Sequence, residues 1–325
     1  MWIFLFYGLL CSIDGTVNAE QIDYSSVNTR VIIENKTKWQ YAIGGESAPI
    51  DSSEHGVTKG ARETSCNCGK ANRAVKRIVG GTAYGRFEYP LIAGVSYSTS
   101  PLRPHCGSTI ITNKHFLTAA HCTVKAVGGV GIFVTVGEHE RGMTAGSYTI
   151  TVDHIIQHEG FNPNNLKHDI CLLALKNGLL LSPAIGPACF PTSDMKDLAG
   201  EHVRIIGWGS LREGGGMQFR PQKIDVKVID ENSCNRIWPA YVSANPATQI
   251  CTHTKNKSPC QGDSGGPVIW LDPETNRYTI VGIVSFGPHC KDEKPSVQTS
   301  VKAYISWIEK HVKATAPEQK LCRKV

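Results

Sequence analysis

In Gly262-Asp263-Ser264-Gly265-Gly266-Pro267 one hydroxyl stands among glycines, whose bare backbone lets another group approach closely. A serine hydroxyl is a weak nucleophile until a neighbouring imidazole takes its proton. The imidazole needs a carboxylate that fixes its tautomer and stabilises its cation. Both residue types stand upstream. His121 lies in Leu117-Thr118-Ala119-Ala120-His121-Cys122, and Asp169 opens the apolar run Ile170-Cys171-Leu172-Leu173-Ala174-Leu175. Gly262 and Ser264 add backbone N–H groups able to face a developing oxyanion. Taken singly, each motif has a bland explanation: a histidine beside a structural cysteine, a turn aspartate, a glycine-rich loop. Together, in the order His, Asp, Ser, they describe a serine worked by a base.

Around these motifs, from Ile78 onward, short β-rich runs alternate with Gly, Pro, Asn and Asp. Examples are Thr109-Ile110-Ile111, Gly131-Ile132-Phe133-Val134-Thr135-Val136, Val203-Arg204-Ile205-Ile206 and Tyr278-Thr279-Ile280-Val281-Gly282-Ile283-Val284. That spacing predicts an all-β fold, a sandwich or barrels. Pattern alone leaves open whether it is one β unit or two small barrels. The helical exception is Val301 to Val312, with Tyr304, Ile305, Ile308 and Val312 on one face.

From about Cys66 to Lys313 the chain resembles the chymotrypsin/trypsin family of serine proteases. His121 to Asp169 is 48 residues and Asp169 to Ser264 is 95, both close to the family's spacing. Gly207-Trp208-Gly209 and Ser285-Phe286-Gly287 match further segments, the second with Phe where Trp is usual. The resemblance implies two packed six-stranded β-barrels with a C-terminal helix, and His121, Asp169 and Ser264 as catalytic triad in the cleft. It implies an oxyanion hole at Gly262 and Ser264. Arg77-Ile78-Val79-Gly80-Gly81 resembles an activation junction, where cutting after Arg77 would free the Ile78 amine to pair with Asp263. The implied partners are protein or peptide substrates, an activating trypsin-like protease and serine protease inhibitors.

The same resemblance builds the substrate pocket from Ser258, Ser285, Gly287 and Ser296. Ser258 falls where trypsin-like members carry Asp, and Ser296 where Gly is usual. A buried Lys or Arg side chain would lack a partner there, so cleavage after apolar or aromatic residues is expected. Trypsin-like specificity through another carboxylate is the alternative within the enzyme class. A catalytically silent homologue acting as a binding module is the alternative outside it. The implied disulfides are Cys106–Cys122, Cys234–Cys251, Cys260–Cys290 and Cys68–Cys189; the pairing of Cys66 and Cys322 is left open, with each other as the guess. Cys171 is expected as a buried free thiol. The family's bridge between second-barrel strands is missing, with Val203 and Trp270 in its place. No cofactor or metal is expected, because Glu138 matches one calcium ligand while Ala145 and Tyr148 replace two others.

The ends supply the setting. Residues 1–19 read as a signal peptide: an apolar run to Ile13, too short to span a membrane, then Val17-Asn18-Ala19. Secretion fits the cysteines, twelve in all and eleven once Cys11 is removed, which implies one thiol outside the intramolecular pairs. Residues 20–77 hold few large apolar side chains and read as a flexible pro-segment tethered by a disulfide. Within it Asn35-Lys36-Thr37 is a glycosylation sequon, whereas Asn256-Lys257-Ser258 is expected to stay unmodified. The remaining 78–325 form the protease domain with a short tail. A net charge of +6 on 325 residues argues for neither nucleic-acid nor membrane partners.

Overall fold

A computed structural model describes residues 56–72, 82–99, 103–127, 129–143, 146–242, 247–290 and 292–325. The expectations for the signal peptide, the Asn35 sequon and the Arg77–Ile78 junction lie outside these residues.

Alternation of large aliphatic and small residues makes two β-barrels. The first comprises β2 (Ile92–Ser96), β3 (Cys106–Ile110), β4 (His115–Thr118), β5 (Phe133–Val136), β6 (Tyr148–Thr151), β7 (His154–Gln157) and β8 (Cys171–Ala174). Their order is β6-β5-β2-β3-β4-β8-β7. The edge strands β6 and β7 are consecutive pieces of one run. Between them the Val152 N–H turns to Ile132 O (3.0 Å) and the Asp153 N–H to Ala174 O (2.9 Å). The sheet thus curls back on itself through the chain, and the run counts as one strand of six. The second barrel holds β9 (His202–Gly207), β10 (Gln222–Ile229), β11 (Gln249–His253), β12 (Pro267–Asp272), β13 (Arg277–Phe286) and β14 (Ser296–Ser300). It runs β10-β11-β14-β13-β12-β9 and closes where β9 pairs with β10. A short β1 (Thr82–Ala83) is added beside Gln222 and Lys223.

Val203 and Trp270, the positions without a bridge, lie in one apolar cluster with Ile205, Val226, Val268 and Val281. Apolar packing there takes the place of a cross-link. On the other face of β9, Arg204 is buried to 2 % exposure. It forks onto its cross-strand neighbour Asp225 (2.7 and 2.8 Å) and donates to the hydroxyls of Tyr89 and Tyr278 (2.6 and 3.0 Å). A guanidinium can be buried because each of its three nitrogens finds an acceptor here. Nothing in the run Val203-Arg204-Ile205-Ile206 announces that network. At the C-terminus a 3-10 turn (Lys302–Tyr304) leads into an α-helix (Ile305–Thr315), later than expected at the start and longer at the end. Its Ile308 and Val312 are buried.

Five disulfides form: Cys66–Cys322, Cys68–Cys189, Cys106–Cys122, Cys234–Cys251 and Cys260–Cys290. Cys171 is the free cysteine among the described residues, and burial pushes its thiol up to about 12. Residues 56–72 correct the expectation of a flexible segment throughout 20–77. Gly60 and Arg62 donate backbone N–H groups to Thr275 O and Glu274 O (2.9 and 2.8 Å). Gly69 is bonded both to Pro187 O and from the Tyr278 N–H (2.8 Å each). Thr64 bridges to Lys324, and Cys68 and Ala71 are buried. The stretch is poor in apolar side chains, so its order comes from backbone bonds and two disulfides that a composition argument does not register.

Candidate active site

His121 sits in a 3-10 turn (Ala120–Thr123) that follows β4, and Cys106–Cys122 ties this turn back to β3. Asp169 lies just ahead of β8 and is fully buried. Its Oδ1 accepts the His121 backbone N–H at 2.9 Å, and its Oδ2 lies 2.7 Å from His121 Nδ1. The Ser285 hydroxyl donates to that same Oδ2 at 2.5 Å, and the Thr299 hydroxyl to Asp169 O at 2.8 Å. A carboxylate can only accept, so the imidazole proton belongs on Nδ1 and Nε2 is left with its lone pair. In this conformation Nε2 meets Cys122 Sγ at 3.7 Å.

Ser264 is placed by backbone bonds from both barrels. Gly107 of β3 donates to Ser264 O, and Gly265 donates to Val284 O of β13, each at 2.8 Å. A β-carbon at Gly265 would lie 2.3 Å from Thr118 Oγ1 and 3.2 Å from the Ala119 nitrogen, and the backbone there has φ +73°. Only glycine permits this approach, which seats the serine loop against the residues leading into His121. The N–H groups of Gly262 and Ser264 donate to no group among the described residues. They form a pair of unsatisfied donors flanking Asp263.

The side chain of Asp263 turns away from Ser264. Its oxygens accept the N–H of Gly209 (2.8 Å) and of Cys260 (3.0 Å). A β-carbon at Gly209 would stand 2.2 Å from Asp263 Oδ2, which explains a glycine in Gly207-Trp208-Gly209. The residue is partly exposed but its carboxyl group is enclosed, and burial pushes it up to about 6. Among the described residues no cation pairs with it. A cavity of about 360 Å³ opens beside it, lined by Ile205, Gly207, Gln222, Ile224 and Ser258 among others.

Not every expected pocket residue presents its side chain to a common space. Ser285 spends its hydroxyl on Asp169, and Ser258 lines the Asp263 cavity. Gly287 and the buried Ser296 do meet, a β-carbon at Gly287 falling 3.1 Å from Ser296 Oγ. Sequence reasoning missed Met217, whose side chain leans on Gly262 so that a β-carbon there would lie 2.7 Å from Met217 Cε. It also missed the hold of Ser285 and Thr299 on Asp169, since a hydroxyl within a strand carries no local signal. Glu138 is buried, takes the Gly142 N–H on Oε1 (2.6 Å), and is raised by burial. Among the described residues only Cys106, His121 and Cys122 group as metal ligands would, and two of those sulfurs are spent in a disulfide.

Residues 78–308 match the family model described as Trypsin, a span that takes in both barrels and every residue of the site. The chain belongs to the trypsin family. A venom serine protease of Polistes dominula is 35% identical over 259 residues, 78% of this chain and 90% of that protein. Venom serine protease 34 of Apis mellifera is 33% identical, over 75% of this chain and 60% of its own length. The clotting factor G beta subunit of Tachypleus tridentatus is 29% identical over 78% of this chain and 84% of its own. Of the three residues singled out in the sequence, His121 and Asp169 are in direct contact, and Ser264 lies on the loop bonded to Gly107 and seated against Thr118 and Ala119.

Proposed function

We propose that this protein is a secreted serine endopeptidase made as a zymogen, with Ser264 as nucleophile, His121 as general base and Asp169 as its orienting carboxylate. The observation that carries the reading is the doubly anchored His121–Asp169 pair, which puts the imidazole proton on Nδ1 and leaves the Nε2 lone pair to act as base. In this mechanism Ser264 Oγ attacks the peptide carbonyl carbon while His121 Nε2 takes its proton. The carbonyl oxygen gains negative charge and receives the N–H groups of Gly262 and Ser264, a type of contact worth about 10²–10³-fold in turnover. The imidazolium, stabilised by Asp169, then protonates the leaving amine. Water repeats the two steps and releases the acyl group from Ser264.

Activation follows from the enclosed Asp263. Cutting after Arg77 creates an ammonium at Ile78 able to enter the cavity and pair with this carboxylate. Thr82 and Ala83 pair with Lys223 and Gln222, and Gln222 lines the cavity. The four residue steps from Ile78 to Thr82 reach about 14 Å when extended, a span over which the new terminus can approach the cavity. A buried ion pair of this kind acts as a switch, because neither charge is tolerable there alone. Relatives named for venom and clotting support a protease acting outside cells. With Ser258 in place of a carboxylate, the bond cut follows an apolar or aromatic residue. A panel of peptides with Phe, Leu, Ala or Arg before the scissile bond tests this on the cut protein. Preference for Phe or Leu supports the reading, and preference for Arg contradicts the specificity.

A further inference from the structure

His168 directly precedes Asp169, and its backbone lies at φ 54°, a conformation that a β-carbon disfavours. The Ile170 N–H donates to His168 O at 2.8 Å, closing a tight turn around Asp169. Two side-chain contacts hold His168 in this shape. Its Nδ1 lies 2.9 Å from the Tyr304 hydroxyl, and its ring stacks on His158 with centroids 4.7 Å apart and planes 8° from parallel. The Gly160 N–H donates to His158 Nδ1 at 3.0 Å. That nitrogen therefore carries no proton, and His158 is neutral in the bonded state.

We propose that the His158–His168 stack is a positioning device for Asp169, holding its turn while His158 Nδ1 accepts the Gly160 N–H and releasing it when that nitrogen takes a proton. It rests on the reading of Asp169 as the carboxylate that orients His121. Protonating His158 at Nδ1 breaks the Gly160 bond and puts a positive charge against the face of the stacked His168 ring. The groups facing His158 are Glu159 on its own loop, His168, and Tyr304, Trp307 and His311 from the C-terminal turn and helix. Glu159 does not neutralise the pair outright. Its Oε2 is taken by the Trp307 ring N–H at 2.9 Å, and its Oε1 lies 3.6 Å from His311 Nε2. Burial first, then His168, holds His158 below its ordinary range, so its Nδ1 takes a proton only in acid. The link to chemistry is the turn itself, since loosening His168 moves the residue that fixes His121.

The test is kcat/KM of the cut protein from pH 5 to 8, for the natural chain and for His158→Phe, which keeps a ring in the stack without a proton. Toward pH 5 the natural chain should lose rate with one more power of the proton concentration than His158→Phe, the stack supplying that extra step. His158→Phe should therefore stand about tenfold ahead at pH 5 once both are normalised at pH 8. His158→Gln should give the same shallower limb, which separates charge from any effect of the larger ring. Superimposable normalised profiles overturn the proposal. A cut chain without activity is a failure of the functional reading, and the device is then judged by amide exchange of Ile170 in the Ser264→Ala protein. Protection should drop about tenfold from pH 7 to 5 with His158 present and stay constant with His158→Phe. Equal protection in both overturns it.

Discussion

Ser285 donates its hydroxyl proton to the Asp169 oxygen that faces His121, at 2.5 Å and with both side chains buried. Ser285-Phe286-Gly287 is expected to line the substrate pocket, but the side chain of Ser285 is spent on the carboxylate. Removing it strips a buried, charged acceptor of one partner, which costs about 1–3 kcal/mol. Ser285→Ala should therefore lower kcat about tenfold with KM little changed, and lower the urea midpoint as well. Steady-state kinetics on one peptide substrate decide the point. A change confined to KM would place Ser285 on the substrate instead.

Asp263 makes the uncut chain sensitive to pH in a direction opposite to most carboxylates. Its folded pKa, about 6, stands above the ordinary value of about 3.9, so the folded state holds the proton more tightly. Stability from this group is present below about pH 4 and is lost as pH rises through about 6, by about 3 kcal/mol at most. Urea unfolding of the uncut chain at pH 4.5 and at pH 7 should show the decline, and Asp263→Asn should remove most of that difference. Comparing the two pH values within each protein cancels any fixed cost of the substitution. An unchanged difference in Asp263→Asn would mean that the carboxyl is already satisfied in the uncut chain.

The segment ahead of Arg77 is held by two bridges, Cys68–Cys189 and Cys66–Cys322. After cleavage, Cys68→Ser or Cys66→Ser alone should leave the light chain attached under non-reducing, denaturing conditions. Only the double variant should release it. Release by either single change would break the assigned pairing.

Much of this architecture was legible in the residues because the decisive features are local. The glycines around Ser264 and the apolar run after Asp169 both mark their places within a few positions. The structure supplies the reason for Gly265, since a β-carbon there would collide with Thr118. What stayed hidden is joined only by folding. Arg204 looks like an ordinary outward residue of a strand until Asp225, Tyr89 and Tyr278 converge on it from separate elements. Residues 56–72 look too polar to order, yet backbone bonds to Glu274, Thr275 and Tyr278 dock them. The hydroxyls of Ser285 and Thr299 join Asp169 across more than a hundred residues of sequence, beyond the reach of any periodicity.

The central claim is that cutting after Arg77 turns Ser264 into a nucleophile. Its most direct measurement is the mass of the peptide carrying Ser264 after treatment of the protein, cut and uncut, with an organophosphonate. The account predicts one adduct, on Ser264, in the cut protein, its near absence from the uncut chain, and its loss in His121→Ala. A cut protein, with its new terminus confirmed at Ile78, that takes up no label at Ser264 would contradict it.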